Sequence, residues 1–418
     1  MLKYLYSSTF LINYVFFLVP FHLWLSLNGY APLIYLSFIT LTGVAITIAA
    51  IFLSPYRKSL TLTKKTLKYL IPFFIFTTYM LLVQITNFSL GDKIDRYGRG
   101  LFQYNLGALA NNIAWFIIGM LVMTYIFRTL KHRAPFFTWL AITLFYISVL
   151  DFKTLTIDFS STIDDKRSIY LIFADLYAVI SIITISTQKK HSLFLGTFLI
   201  SFLTLYLLNS RASMVLFGVS FILPLLIRSS FRWKVALIIA ATTAGFLLLL
   251  ASQANDTEGS RMLAFFSTDY TNDGSYIGRM IQFDAGLSHI SANPVMGGYN
   301  SIHRDFGNHG AYMHNILSFW QVYGIIAFIF AITLFLLTPL KLSINNMLKK
   351  SLPDHPPQLR AIILLSTYIV LQIAFSRSYT WSYPWFLFGM IAVYNMNLKN
   401  PNRNRSILAT PLSYKPPK

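Results

Sequence analysis

Twelve apolar runs recur along the chain, near residues 9–28, 32–54, 70–90, 108–127, 136–150, 169–186, 193–209, 213–227, 235–251, 315–340, 361–376 and 383–397. A helix needs about 20 mostly apolar residues to cross a hydrocarbon core of about 30 Å. Within lipid its backbone polar groups must be satisfied inside the segment, which favours helices. The chain therefore reads as an all-α polytopic membrane protein of about 12 transmembrane helices. Composition agrees: 55% of residues are hydrophobic and 11% charged, where a soluble domain carries about 25% charged residues. The first run, "STFLINYVFFLVPFHLWLSL", is too long for a signal peptide and lacks a small-residue cleavage site, so it reads as the first span. The runs either side of "NSRAS" are joined by a very short turn.

The formal net charge of +20 invites a nucleic-acid reading, but its distribution opposes it. With the N-terminus inside, the inner segments hold most of the basic residues, among them Arg57, Lys65, Arg128, Lys189, Lys190, Arg232 and Lys349. The outer segments hold nearly all the acids. This is a positive-inside pattern; it sets both termini in the cytoplasm and makes the basic excess topological. A nucleic-acid footprint would gather those charges on one folded surface. The expected organisation is a bundle of spans 1–9 over 1–251, an outer loop domain over 252–314, spans 10–12 over 315–397 and a basic cytoplasmic tail over 398–418. A loop of about 60 residues without structure would be unusual, so 252–314 is expected to carry short helices. "RMIQFDAGLSHI" (279–290) reads as one, ended by "NPVMGGY". The chain has no cysteine, which excludes disulfides and thiolate chemistry. No internal repeat supports an inverted-repeat transporter.

Chemistry-bearing residues collect on the outer side. Arg211 lies between two apolar segments, where a charge costs about 2.5 kcal/mol or more and usually faces a polar interior. It reads either as an anion clamp, given its planar fork of donors, or as a helix-end arginine reaching for the interface. Arg261 and Arg279 lie in the long loop, where each could equally be a solvated side chain. Arg304 neighbours Asp305 and could pair with it, and Arg99 reads as exposed. His314, followed by Asn315 at the mouth of a span, suits general-base work on a hydroxyl, although a histidine there could also cap or pack. His303, His309 and His314 lack the spacing of a helix-face metal pair, so no metal site is expected. Tyr and Trp in "SYTWSYPW" (378–385) read as an interfacial belt, with stacking on sugar rings as the alternative. Asp175 is the one acid well inside an expected span, and this scarcity argues against ion-coupled transport.

Taken in order, "NSRAS", "GRMIQFDAGLSHISANPVMGGY" and "HNILSFWQVYG" resemble the O-antigen ligase and polymerase family of bacterial inner-membrane glycosyltransferases, over about residues 200–330. The remainder is similar only in the number and character of its spans. The resemblance implies a bundle topped by a periplasmic domain, like other large transmembrane glycosyltransferases. It also implies a multi-pass inner-membrane protein whose active site faces the periplasm. The implied reaction is metal-independent, inverting transfer of a glycan from undecaprenyl pyrophosphate to a sugar hydroxyl, with no cofactor. Arg211 and Arg279 would hold the pyrophosphate and His314 would activate the acceptor hydroxyl, with Asn315, Arg261, Arg304, His303 and Arg99 as possible supports. The acceptor would be lipid A-core for a ligase, the reading carried forward. It would be a growing lipid-linked glycan for a repeat-unit polymerase, which could also engage a chain-length regulator. Outside the family, a flippase for lipid-linked sugars remains an alternative.

Overall fold

A computed structural model of the protein describes residues 12–30, 40–46, 48, 64–88, 100–126, 133–151, 156–157, 169–227, 274–307 and 311–398. These are almost entirely helical; the exception is a short antiparallel pairing of Leu150–Asp151 with Thr156–Ile157. In chain order the helices are α1 (Tyr14–Leu27), α2 (Lys64–Thr86), α3 (Leu101–Leu121), α4 (Arg133–Ser148), α5 (Ile169–Thr187) and α6 (His191–Leu207). They continue with α7 (Arg211–Ile227), α8 (Gly274–Ala292), α9 (Ser301–Phe306), α10 (Leu317–Met347), α11 (Pro357–Phe375) and α12 (Tyr383–Leu398). By length and composition α5, α10, α11 and the helix Leu101–Thr124 can cross a membrane; α1, α4, α6, α7 and Leu70–Thr86 are shorter apolar helices. The run near 235–251, most of that near 32–54, the 251–252 boundary and tail residues 399–418 lie outside the described residues.

Helix α5 is the most enclosed. Phe173, Ala174, Tyr177, Ala178, Ile180 and Ile183 are all fully buried, packed by α4, α6, α7 and α11. A second apolar cluster joins α2, α3, α10 and α12 through Phe76, Phe319, Phe335 and Trp385. Between α3 and α12 the backbones almost touch: a Cβ on Gly119 would meet the Phe386 carbonyl oxygen at 2.0 Å, and one on Gly389 the Phe116 oxygen at 2.2 Å. Lipid provides no hydrophobic drive for helices to associate, so close approach at small residues carries the packing.

Helix α10 is broken at Gly324, whose φ of 82° and ψ of 179° are not helical. The break strands backbone groups that an intact helix would pair, and the loop after α8 takes them up. Gly298 N–H donates to the Gln321 carbonyl at 2.7 Å, and Ile325 N–H donates to the Val295 carbonyl at 3.2 Å. The Trp320 indole donates to Pro294 O at 2.7 Å, and the Gln321 amide reaches Gly298 O and Ser301 Oγ. A Cβ at residue 324 would sit 2.1 Å from Val295 O, so glycine is required both for the turn and for the contact. A small cluster of Ile290, Ile302, Ala311 and Met313, with Phe283, Leu317 and Trp320 against it, fixes α8 and α9 to the head of α10. The expected loop helix of 279–290 is thus real but longer, beginning at Gly274 and closing at Ala292.

Candidate active site

His314 stands just ahead of α10. Its ring lies 4.4 Å from that of Tyr312, tilted by 43°. Asn315 Oδ1 accepts the Leu317 N–H at 2.9 Å, closing the turn that launches the helix. Burial lowers the His314 pKa to about 4, with Arg279 and then Arg377 pushing the same way; only a hydrogen bond with the Ser376 backbone opposes them. The imidazole is therefore neutral near pH 7 and can accept a proton. Burial raises the Tyr312 phenol, which stays protonated beside it.

Arg279 projects from the first turns of α8. It is accessible from the open side, yet the protein around its guanidinium strips water and lowers its pKa. Arg377 and Arg211 add to that effect, while Tyr170 and Tyr312 counter it. Arg279 thus sits within electrostatic reach of Arg211, Arg377 and His314. Arg211 opens α7 after a turn in which Asn209 takes a left-handed φ of 55°. Among the described residues the cluster has three guanidinium groups and one carboxylate, so its field favours an anion.

The carboxylate is Asp175. Arg377 grips it with Nε to Oδ2 at 2.7 Å and Nη2 to Oδ1 at 2.8 Å. Ser213, Tyr368 and Trp381 donate to the same carboxylate at 2.7, 3.1 and 2.8 Å. Both partners are buried, at 2% and 5% exposure. Full satisfaction by charge-assisted bonds is what allows such a pair inside a bundle. The segment carrying Arg377 is itself tied down: Tyr379 N–H donates to Ser318 Oγ at 2.9 Å, and Tyr379 Oη donates to Asn105 at 2.7 Å.

Several expected roles change. Arg304 does not pair with Asp305: its guanidinium donates to the Tyr299 carbonyl at 3.0 Å, while Asp305 meets His289 at 2.6 Å. Residues i and i+1 on a helix point apart, and α9 turns Asp305 toward α8. His303 is buried on α9 beside the Tyr104 ring. Within 378–385, Tyr379, Tyr383 and Trp385 are enclosed by protein and form no interfacial belt: Tyr379 is held by Ser318 and Asn105, and Trp385 stacks on Phe76. Arg99, Arg261 and His309 lie outside the described residues. Among those residues no three His, Asp or Glu side chains converge as a metal would need. Arg377 was missed in the sequence although, like Arg211, it stands between two apolar runs.

The fold and the cluster define a helical membrane protein with an anion-attracting site beside a neutral histidine. Residues 196–332 match the family model described as O-antigen ligase, a match that supports the O-antigen ligase and polymerase family. Members of that family are glycosyltransferase-like enzymes acting on lipid-linked glycans and their acceptors. The matched stretch contains Arg211, Arg279, His314 and Asn315, whereas Asp175 and Arg377 fall outside it. No curated protein matches the chain.

Proposed function

We propose that the protein transfers a glycan from undecaprenyl pyrophosphate to a sugar hydroxyl at the periplasmic face of the inner membrane, acting as an O-antigen ligase on lipid A-core. The supporting observation is the neutral His314 beside Arg279, with Arg211 and Arg377 close to that arginine.

In this reading the pyrophosphate lies against Arg279 and Arg211. His314 takes the proton of the acceptor hydroxyl as its oxygen attacks the anomeric carbon. The anomeric C–O bond breaks, the pyrophosphate keeps the electron pair, and a single displacement inverts the configuration. Negative charge grows on the leaving group as that bond opens, and fixed guanidinium groups stabilise it without reorganising. That is the work a divalent cation does elsewhere, which motivates a metal-independent mechanism. A pKa of about 4 makes a weak base. Bound pyrophosphate offsets the positive charges that hold it down and so strengthens the base when the donor is present.

A repeat-unit polymerase would share every step and differ only in its acceptor. The deciding experiment reconstitutes the purified protein with lipid-linked glycan in EDTA and offers either lipid A-core or a second lipid-linked repeat. Transfer to core supports the ligase, and transfer to the repeat alone replaces it with the polymerase. Abolition by EDTA sinks the metal-free mechanism. Lipid translocation without transfer to either acceptor makes the protein a flippase.

A further inference from the structure

The segment that delivers His314 brings a second polar group with it. Burial alternates along residues 311–314: Ala311 and Met313 are fully buried, whereas Tyr312 and His314 are half-buried. That is the pattern of a chain whose successive side chains point to opposite sides. Tyr312 and His314 share one side, their rings 4.4 Å apart. Met313 anchors the other, inside the cluster that holds α8 and α9. It fills the space that a side chain at Gly286 would need, its Cγ 2.3 Å from where a Cβ would stand. Residues 279 and 286 of α8 lie two turns apart on one face. The face that carries Arg279 is therefore the one against which this segment rests.

The phenol and its neighbouring guanidinium are open donors. Among the described residues Tyr312 Oη makes no hydrogen bond, and Arg279 makes neither a hydrogen bond nor an ion pair. Burial raises the phenol pKa; Arg377 and then Arg279 pull it back, while Asp175 and Tyr170 add to the rise. The Tyr312 oxygen is thus within electrostatic reach of two guanidinium groups and keeps its proton. Asp175, the acid in its reach, already accepts from Arg377, Ser213, Tyr368 and Trp381. The phenol hydrogen is left for a ligand. A protonated phenol donates one hydrogen bond, and such a bond to a phosphate oxygen is charge-assisted.

We propose that Tyr312 is a further substrate-contacting residue, its hydroxyl donating to the sugar-bearing phosphate of a lipid-linked diphosphate held by Arg279. The assignment depends on the glycan-transfer activity proposed above. His314 marks the carbon under attack, and Tyr312 beside it is nearest the phosphate from which that carbon departs. Arg279 supplies charge. The phenol supplies one directed bond to a group that gains negative charge as the anomeric bond opens, and it keeps its own proton throughout.

The test measures binding of undecaprenyl pyrophosphate, undecaprenyl phosphate and inorganic pyrophosphate to the full-length protein in nanodiscs, as wild type and as Tyr312→Phe. That substitution keeps the ring against His314 and removes only the hydroxyl. Undecaprenyl pyrophosphate should bind Tyr312→Phe about tenfold or more weakly. Undecaprenyl phosphate, which lacks the sugar-bearing phosphate, should bind both proteins alike. In glycan transfer kcat/KM should fall to a similar degree with its acid limb unmoved. The causes of the His314 pKa, namely burial, Arg279, the Ser376 backbone and Arg377, are all retained in the variant. A moved limb would mean that Tyr312 acts only through the imidazole and would overturn the contact. So would equal losses for both lipids, or inorganic pyrophosphate binding as tightly as the lipid. Wild type that binds neither lipid sinks the glycan-transfer reading, and Tyr312 with it. Wild type that binds the pyrophosphate while Tyr312→Phe binds it equally removes Tyr312 alone.

Discussion

Arg377 spans both oxygens of Asp175 at 2.7 and 2.8 Å across 202 residues of sequence, and its segment supplies the backbone that holds the His314 ring. One ion pair thus joins the middle of the most enclosed helix to the proposed base. Asp175→Asn would leave Arg377 as a buried charge without its counter-ion, a change that typically costs about 3–5 kcal/mol. Denaturant unfolding in detergent should show a loss of that order. A variant as stable as wild type would mean that the pair is not closed in the membrane.

His314→Ala is expected to lower glycan transfer by about 10²- to 10⁴-fold with normal membrane insertion. In vitro transfer alongside a fluorescence-detected insertion assay separates the two effects. Near-wild-type turnover would remove His314 from the chemistry.

Replacing Arg279 by Gln should do two things at once. Loss of one charge-stabilising group lowers kcat by about 10²-fold or more. Loss of its positive field, the second cause of the depressed His314 pKa after burial, moves the acid limb of the rate profile upward. A fall in rate with no movement of the limb would place Arg279 too far from the imidazole to influence it.

The pH dependence has a defined sign. His314 titrates at about 4 in the folded protein and near 6.5 in an unfolded chain, so the unfolded chain binds the proton more readily between those values. This group's contribution to stability is complete above about pH 6.5 and is lost as pH falls toward 4. In kinetics, kcat/KM for the donor reports the free enzyme and should keep its acid limb well below 6.5. The limb for kcat, measured with pyrophosphate bound, should lie higher. Coincident limbs in pH-rate profiles would show that the donor leaves the histidine unaffected.

Gly324→Ala tests the seam between loop and helix. The new methyl would meet Val295 O at 2.1 Å in a backbone region that disfavours side chains. Residues 294–298 should detach, and limited proteolysis should cut there faster while transfer falls, although no proposed catalytic side chain has changed.

Much of this was legible in advance because hydropathy is a local property: runs of apolar residues announce helices whatever their neighbours. Arg211 and His314 could also be singled out, since each stands at the edge of an apolar segment where a polar group needs a reason, whereas Arg279, in the long loop, was singled out by the family resemblance alone. Pairing is different, because it depends on which helices become neighbours. Asp175 could be seen alone in its span, but nothing local selected Arg377 among 34 basic residues as its partner. Adjacency even misled at Arg304 and Asp305, where helical geometry sends the acid to His289. The buried tyrosines of 378–385 were misread because an aromatic beside a span end looks the same whether it faces lipid or protein.

The seam at Gly324 has one more consequence. Residues 294, 295 and 298 join it through their main-chain groups, and the side chains of Val295 and Met296 point away, 59% and 63% exposed. The segment between α8 and α9 is therefore fastened by a latch indifferent to what positions 295 and 296 carry. Those two positions can therefore change without disturbing the backbone seam that sets the start of α10.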